Sequence, residues 1–267
     1  RRHPLRLASA FRPITYLGQR HRIKSPMTDL DALQFFQTPD HPCSYLPEQR
    51  ATTVFADPDI IISTGLYTQL SQFGFRRSGA HIYRPHCGAC QACIAVRLPV
   101  AAFTAKRRHQ RVLKRNQDLA KQQTAPHNSE EIWSLYERYI NHRHNDGDMY
   151  PADREQFVSF LVTGRPEAQF TEYRLGEQLI AVAVSDELQD GLSAIYTFFD
   201  PDHDPRSLGT FAILDLIQQT QAKGLPYLYL GYWIEASNKM HYKAEFLPQE
   251  RLTTTGWQRI SSILPLQ

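Results

Sequence analysis

The feature that most constrains this chain is a run of strand-like segments in its second half, separated by short turn signals. Gly176-Glu177 and Gln189-Asp190-Gly191 are turn signals, and strand-like segments flank each of them, which predicts three consecutive antiparallel strands. A helix closed by Gly224, a strand, a mostly helical segment and a final extended stretch follow. The predicted segments are 169–175, 178–185, 192–200, 210–222, 227–232, 237–245 and 250–260.

The resulting order, β-β-β-α-β-α-β, is that of the N-acetyltransferase-like (GNAT-type) acyltransferase fold, so we expect an α+β domain of this type. Residues 42–99 have short apolar runs between Gly and Pro signals and contain all four cysteines, which indicates a small α+β N-terminal domain. We therefore divide the chain into four parts. The predicted parts are 1–26, a disordered or spurious leader; 27–104, the Cys-containing domain; 105–125, a basic helix; and 126–267, the acyltransferase domain.

The leader is identified by its charge. Residues 1–26 contain seven Arg or Lys and no acidic residue, a pattern also found in organellar presequences, whereas Met27 opens an acidic stretch typical of an ordinary start. We therefore expect no functional role for this segment. No apolar run in the sequence approaches the roughly 18 residues that span a bilayer, so we expect a soluble cytoplasmic protein.

Basic and acidic residues are strongly segregated along the chain. No acidic residue occurs between Asp59 and Asp118, an interval with ten Arg or Lys, whereas residues 118–267 hold 12 basic and 21 acidic residues. A surface selected only for solubility mixes both signs, so this block indicates a polyanion, such as a phosphate backbone, as partner. The basic residues of a helix predicted over 105–123 are the candidate phosphate contacts: Arg107, Arg108, Arg111, Lys114 and Arg115. A second helix is predicted over 129–142, with Ser129 as its N-cap.

Cys87, Cys90 and Cys93 follow one another at three-residue spacing, and Cys43 is the fourth cysteine of the chain. Four thiols can complete a tetrahedral site, so these positions are the candidate ligands for zinc or an iron–sulfur cluster. The alternative is that they are reduced, partly buried and inert, as many cytosolic thiols are.

Four local motifs bring the chain close to a known family. They are Pro42-Cys43-Ser44-Tyr45-Leu46-Pro47; Gly74-Phe75-Arg76-Arg77-Ser78-Gly79 with Tyr83-Arg84-Pro85-His86-Cys87; Tyr139 with Arg143-His144-Asn145-Asp146-Gly147-Asp148-Met149; and Gly231-Tyr232-Trp233-Ile234 with Lys239-Met240-His241-Tyr242-Lys243. Together they resemble the arginyl-tRNA-protein transferase family, and within it the bacterial aspartate/glutamate leucyltransferases. Eukaryotic members have a second cysteine where this chain has Leu46, a departure that weakens the metal hypothesis.

The resemblance implies transfer of an amino acid, leucine in the bacterial branch, from aminoacyl-tRNA to the α-amine of proteins that begin with Asp or Glu. The product N-terminus marks the protein for degradation. An aminoacyl ester is already activated, so positioning and oxyanion stabilisation suffice, and no cofactor is required for the chemistry.

The resemblance also assigns roles to single residues. A cation must hold the acidic side chain of the acceptor, and the candidates are Lys243 and Lys239, followed by Arg76 and Arg77. Tyr232 and Tyr242 are candidates for orienting the amine, and Asp146 is the reserve general base. Each has a structural alternative, as a solvated lysine, a rim tyrosine or a turn-forming aspartate.

Three other functions remain open from sequence alone. Arginine is the alternative donor, because the motifs do not define the pocket for the donated side chain. The turn Ser207-Leu208-Gly209-Thr210 opens a helix and can bind an anion, so a coenzyme A-dependent N-acyltransferase is a rival, although its single glycine is unlike a pyrophosphate loop. A noncatalytic RNA-binding protein with a zinc knuckle is the third.

Overall fold

The computed structural model describes residues 12–14, 30, 33–145, 147 and 149–262. Most of the predicted leader and two positions of the 143–151 loop, Asp146 and Asp148, lie outside the described residues. Residues 12–14, however, form a strand that pairs with residues 35–37, so this piece of the predicted leader extends a sheet.

The N-terminal part is a small β-layer with one helix. Helix α1 (Thr64–Gln72) begins at Ser63, whose hydroxyl accepts a hydrogen bond from the Leu66 amide. The seven strands are β1 (Arg12–Ile14), β2 (Phe35–Gln37), β3 (His41–Pro42), β4 (Arg50–Ala51), β5 (Thr53–Ala56), β6 (Arg76–Ser78) and β7 (His81–Pro85). Five of them form a sheet in the order β1-β2-β5-β7-β6, and β3 pairs with β4.

A larger mixed sheet follows. Its strands are β8 (Ile94–Pro99), β9 (Ala120–Thr124), β10 (Ala168–Leu175), β11 (Gln178–Glu187), β12 (Gly191–Phe199), β13 (Tyr227–Trp233), β14 (Gln249–Thr253) and β15 (Gly256–Ile260). Their order is β15-β14-β8-β13-β12-β11-β10-β9, and the one parallel pair among these strands is β12 with β13. The protein is therefore α+β, as expected.

Helices cover the larger sheet. Helix α3 (Glu130–Arg143) packs on β11 and β12. Helix α5 (Leu208–Ala222) packs on β12, on β13 and on helix α2 (Arg107–Arg115). Helix α5 ends at a Gly224 with φ of 67°, a left-handed conformation that glycine adopts without strain. Helix α4 (Arg154–Phe157) continues into a π-helical turn, Val158–Val162.

Three elements differ from the sequence-based predictions. The mostly helical segment predicted over 237–245 is helical only over His241–Glu245, as a 3₁₀ segment. The helix predicted over 105–123 ends at Arg115, because the Asn116 amide donates to the carbonyls of Val112 and Arg206 and caps it. Residues 120–124 then form β9, which pairs with the free edge of β10. The predicted stretch 250–260 is a hairpin, β14 and β15, and not one extended segment.

The predicted boundary at residue 104 also cuts through the larger sheet. Strand β8, assigned to the N-terminal domain, lies between β13 and β14 and is buried over most of its length. Its sequence, Ile-Ala-Val-Arg-Leu-Pro, lacks the alternation of a half-exposed strand, because both faces of this central position are covered.

A buried ion pair joins the β6 layer to the larger sheet. The Arg77 guanidinium donates to both carboxylate oxygens of Asp186 on β11, at 2.7 and 2.9 Å, and neither side chain is exposed to solvent. The Tyr67 hydroxyl of α1 donates to the same carboxylate at 2.6 Å. A buried charge pair is tolerated only when its remaining hydrogen-bonding capacity is used, and this network uses it.

Candidate active site where two parallel strands diverge

The site begins with a gap between neighbouring strands. Strands β12 and β13 pair only from Gly191 with Tyr227 to Ser193 with Tyr229 in the described structure, although β12 continues to Phe199. Beyond Ser193 the two strands separate, and their backbone polar groups become available to side chains from other layers.

A bulge in β13 decides which side chains face this gap. The pairing of β13 with β8 shifts between Tyr229 and Gly231, and Gly231 has a φ of 80°. Residues three apart on a regular strand point to opposite faces, but the bulge places Tyr229 and Tyr232 both toward the N-terminal layer. Tyr229 packs against the α1 cluster, and the Tyr232 hydroxyl donates to the Gly74 carbonyl at 2.7 Å.

Arg76 of β6 lies at the point of divergence. Its Nη2 donates to the carbonyl of Ala194, the first β12 residue beyond the parallel pairing. On the other strand, the guanidinium lies against Gly231 of β13, where a Cβ would be 3.4 Å from its Nε and Nη2, an ordinary van der Waals contact. The side chain is 8% exposed, and no carboxylate in the described part of the chain lies within 4.0 Å of it.

Lys243, from the 3₁₀ segment His241–Glu245, is a second buried cation beside Arg76. It is 7% exposed, and its Nζ donates to the Tyr232 carbonyl at 2.8 Å and contacts the Met240 sulfur at 3.3 Å. Burial, reinforced by the charge of Arg76, lowers the pKa of Lys243 to about 7. Among the described residues it too has no carboxylate within 4.0 Å.

Other candidates line the approach to these two cations. Lys239 is exposed, and its Nζ is 3.9 Å from the position of a Cβ on Gly147, which brings the motif after α3 against the last motif. Tyr242 is 42% exposed, with its ring centre 5.9 Å from Lys243 Nζ. Burial, with a contribution from Tyr242, raises the pKa of Tyr139 in α3 to about 12, and the Tyr139 hydroxyl lies 3.2 Å from His144.

Two of the predicted site residues are occupied by other contacts. Arg77 is held in the buried pair with Asp186, on the side of β6 opposite Arg76. The Tyr232 hydroxyl is buried on the Gly74 carbonyl, and burial raises its pKa well above the ordinary value. Asp146, the reserve base, lies outside the described residues.

The four cysteines lie near one another. Burial, followed by the charges of Cys43, Cys87 and Cys90, raises the pKa of Cys93 to about 12, and Cys93 is in turn an electrostatic neighbour of Lys243. No disulfide joins them. No group of three or more His, Cys, Asp or Glu side chains in the described part of the chain is arranged to hold a metal ion. The tetrahedral site predicted from their spacing is therefore not supported.

Helix α2 presents the predicted polyanion surface. The five basic residues predicted on it are exposed. Arg108 pairs with Glu245 at 2.9 Å and Arg115 donates to the Pro205 carbonyl, whereas Arg107, Arg111 and Lys114 have no carboxylate within 4.0 Å among the described residues. The helix is fixed by His109, whose ring is stacked between Phe103 and Phe246 and is kept neutral by burial, which lowers its pKa to about 4.

Sequence reasoning missed the residues that build this geometry. Gly231 did give a signal, because a lone glycine inside a predicted strand is typical of a bulge, but it was treated only as part of a motif. Asp186 did give a signal, because a carboxylate at the end of an apolar strand needs a buried cation, and Arg77 is that cation. No signal in the sequence pointed to the Ala194 carbonyl, because this group is available to Arg76 only where β12 and β13 separate.

Sequence comparisons place this chain among known proteins. Residues 41–111 match the sequence model described as arginine-tRNA-protein transferase, N terminus, and residues 131–253 match its C terminus. The chain belongs to this family.

Its relatives are more specific. It is 52% identical over 231 residues to the aspartate/glutamate leucyltransferase of Pseudomonas paraeruginosa, covering 86% of this chain and 98% of the relative. It is 52% identical over 235 residues to that of Teredinibacter turnerae, covering 88% and 97%. A solved structure of L-PGS from Bacillus licheniformis aligns over 61% of this chain and 48% of its own at 12% identity, with a TM-score of 0.40, too distant to assign the fold.

Proposed function

We propose that this protein transfers leucine from leucyl-tRNA to the α-amine of proteins that begin with aspartate or glutamate, marking them for degradation. The observation that carries the proposal is a pair of buried basic side chains, the charged Arg76 and its neighbour Lys243, which have no carboxylate partner in the described part of the chain. An unpaired buried charge is costly, so such a pair favours an anionic ligand. The names of the relatives supply the chemistry of that ligand.

Arg76 is the residue that we assign to the acceptor's carboxylate. Its guanidinium is planar and matches a carboxylate in a two-pronged contact, and its contact with the Ala194 carbonyl uses only part of its donor capacity. Lys243 lies beside it, and Lys239 stands at the exposed approach, where it attracts an acidic N-terminus. The buried ion pair of Arg77 with Asp186 holds β6, the strand that carries Arg76, against the larger sheet.

The transfer itself requires positioning. The α-amine attacks the ester carbonyl carbon, and the tetrahedral oxyanion then collapses with loss of the tRNA ribose oxygen, so no covalent enzyme intermediate and no cofactor are needed. We assign Tyr242, a residue that is 42% exposed, to orienting the amine. Tyr232 fixes β13 against the N-terminal layer, and its carbonyl orients Lys243.

Helix α2 is the surface that we assign to the tRNA backbone. Arg107, Arg111 and Lys114 project without carboxylate partners among the described residues, so they are free to neutralise phosphates. The anchoring of the helix through His109 links this surface to Phe246, three residues after Lys243.

The larger sheet supports an N-acetyltransferase-like arrangement. The order β10-β11-β12-α5-β13, followed by a 3₁₀ segment and β14, matches the predicted one, and the divergence of β12 and β13 supplies the cleft in which an acyl group would react. No helix in the described part of the chain is long and apolar enough to cross a membrane. We propose a cytoplasmic location, where aminoacyl-tRNA is available.

The test is transfer from leucyl- and arginyl-tRNA, in parallel, to peptides that begin with Asp, Glu or Asn. We expect leucine to be transferred to the Asp and Glu peptides, with little transfer to the Asn peptide. Use of arginine alone would reassign the donor. Failure of both donors, or acyl transfer from acetyl-coenzyme A to the same peptides, would refute the proposal.

Release of leucine from leucyl-tRNA distinguishes an enzyme from a noncatalytic RNA-binding protein. A noncatalytic RNA-binding protein would retain tRNA but release no amino acid from leucyl-tRNA when an Asp peptide is added. We expect release that depends on the peptide.

A further inference from the structure

The acceptor reaches the enzyme with a proton that must be removed. An α-amine has an ordinary pKa near 8, so most of it is ammonium at neutral pH, and an ammonium nitrogen cannot attack an ester. Some group at the site has to accept that proton before the bond forms.

The described groups around Lys243 Nζ leave few candidates. Burial raises the pKa values of Tyr83 and Tyr232, and that of Cys93 to about 12, so these groups are already protonated at neutral pH. Arg76 stays charged. The hydroxyl of Tyr242, whose ring also faces Nζ, is likewise a protonated phenol.

Lys243 differs from these neighbours. Its amine is enclosed beside Arg76 with no carboxylate to hold its charge in the described part of the chain, and its pKa is about 7. At pH 7.5 it is therefore mostly a neutral amine with a free lone pair. Its contact with the Tyr232 carbonyl at 2.8 Å uses an N–H and leaves the lone pair for another partner.

We propose that Lys243 takes the proton from the acceptor's α-ammonium group, and that the acceptor's own side-chain carboxylate, held by Arg76, drives this transfer. The inference rests on the proposed function. It gives Lys243 a catalytic role beyond that of a binding cation.

The protons balance as follows through one turnover. One proton moves from the α-ammonium nitrogen to Lys243 Nζ, which leaves a neutral amine and a charged lysine. The amine attacks the ester carbon, the carbon–oxygen bond to the ribose breaks, and the proton lost by the attacking nitrogen ends on the ribose hydroxyl. Lys243 then releases its proton to water after the product leaves.

The acidic side chain acts on this equilibrium directly. A carboxylate brought beside Arg76 and Lys243 supplies the negative charge that this pair lacks among the described residues, and an opposite charge at close range raises the pKa of an amine. An Asp or Glu acceptor thus makes Lys243 a better base, whereas Asn does not. Selectivity for acidic N-termini becomes a difference in rate as well as in binding.

The decisive experiment observes both amines in the intact enzyme. Lysine ε-carbon NMR reports the charge of Lys243, and a ¹⁵N label on the peptide's α-amine reports the state of the acceptor. At pH 7.5 we expect a neutral Lys243 in the free enzyme. With saturating Asp peptide, Lys243 should become charged and the α-amine neutral. With Asn peptide, Lys243 should stay neutral and the α-amine protonated. Lys223, an exposed lysine paired with Glu187, is the matched control and should stay charged throughout.

Two results would overturn the inference: a Lys243 that is charged in the free enzyme at pH 7.5, or an α-amine that remains protonated beside a charged Lys243. Lys243→Arg adds an activity readout, because arginine keeps the charge but does not give up its proton. We expect transfer to the Asp peptide to fall by about a hundredfold at pH 7.5 and then to rise with pH through about 8, the ionisation of the free amine.

Full activity of Lys243→Arg would show that only the charge matters. Loss of the neutral α-amine signal in Asp146→Asn or His144→Asn, with Lys243 unchanged, would assign the proton to those residues. Absence of any leucine transfer by the wild-type enzyme would instead refute the proposed function, so the two failures are distinguishable.

Discussion

Replacing Lys243 by methionine should stabilise the protein at neutral pH. The unfolded chain keeps this lysine protonated up to its ordinary pKa of 10.5, whereas the folded protein releases the proton near pH 7. Between these values the unfolded state binds more protons, so the stability of the wild-type protein rises with pH across this window and is lowest below it. Methionine keeps a stem of similar length and removes the titration.

The magnitude follows from the difference between the two pKa values. At about 1.4 kcal/mol per pKa unit, holding Lys243 in the folded protein at pH 7 costs about 4 kcal/mol, and at pH 10 this cost falls to about 1 kcal/mol. Methionine leaves the Tyr232 carbonyl without its donor, a loss of about 1 to 3 kcal/mol. The variant should therefore be more stable than wild type by about 2 kcal/mol at pH 7 and less stable by about 1 kcal/mol at pH 10.

Urea unfolding at pH 7, 8, 9 and 10, followed by circular dichroism, measures the effect. Only the difference between the two proteins at each pH is used, because other groups that titrate are common to both. The dependence of unfolding free energy on urea should be unchanged, which verifies that the two proteins unfold through the same change in exposed surface. Lys223→Met, at an exposed position, is the control and should differ from wild type by a constant amount.

A difference that stays constant from pH 7 to pH 10 would refute the reasoning. It would mean that the pKa of Lys243 is not lowered on folding, so that the lysine is charged in the folded protein at neutral pH, and its role as proton acceptor would fail with it.

Three further changes test the rest of the structure. Arg77→Met should cost about 3 to 5 kcal/mol of unfolding free energy by urea titration, because the charge of Asp186 is left buried, and Asp186→Leu in the same chain should recover much of it. The double substitution Arg111→Glu and Lys114→Glu should weaken leucyl-tRNA binding. It should also make the fall of the logarithm of the binding constant with the logarithm of salt concentration less steep, by about 2. Gly231→Ala should cost about 1 to 2 kcal/mol and lower leucine transfer, because its φ of 80° strains an alanine and relief of that strain would change the bulge of β13 beside Arg76.

Each of these has a contrary result. An Arg77→Met protein of wild-type stability would mean that the pair is solvated. If the wild-type and charge-reversed proteins have equal salt slopes for tRNA binding, helix α2 is not part of the tRNA-binding surface. Lys223→Glu is the control for a charge reversal elsewhere. A fully active Gly231→Ala protein would show that the backbone of the β13 bulge does not matter to transfer.

The second half of the fold followed from local patterns in the sequence. Short turn signals, apolar strand-like runs and the closing Gly224 act within a few residues of one another, so the segments 178–185 and 227–232 are predicted close to their observed bounds. Ser129 was likewise confirmed as the N-cap of α3. The end of α2 was not predictable in this way, because Asn116 caps the helix by reaching Arg206, which is 90 residues away.

The sequence predicts which residues belong to the candidate site, but not how they are arranged in space. Family-like motifs named Arg76, Arg77 and Lys243 together, but adjacent strand residues point to opposite faces, and the sequence does not say which face carries the site. Arg77 points into the interior, where it pairs with Asp186 of β11. Arg76 lies where β12 and β13 diverge and donates to the Ala194 carbonyl. Both outcomes depend on pairings between distant segments. The clustering of the cysteines was expected, whereas a metal-binding arrangement among them is not seen in the described residues.

The central position of β8 has a consequence for how the chain is made. Its neighbours are β13 and β14, and the ion pair from Arg97 of β8 to Glu250 of β14 spans 153 residues. At a synthesis rate of about 5 to 20 residues per second, β8 waits roughly 8 to 30 s on the ribosome before that partner exists. An apolar strand with both edges unpaired for that time is a target for aggregation, so we expect nascent chains to depend on chaperones. For the same reason, a chain cut between the two family segments should regain a complete sheet only when both fragments are present together.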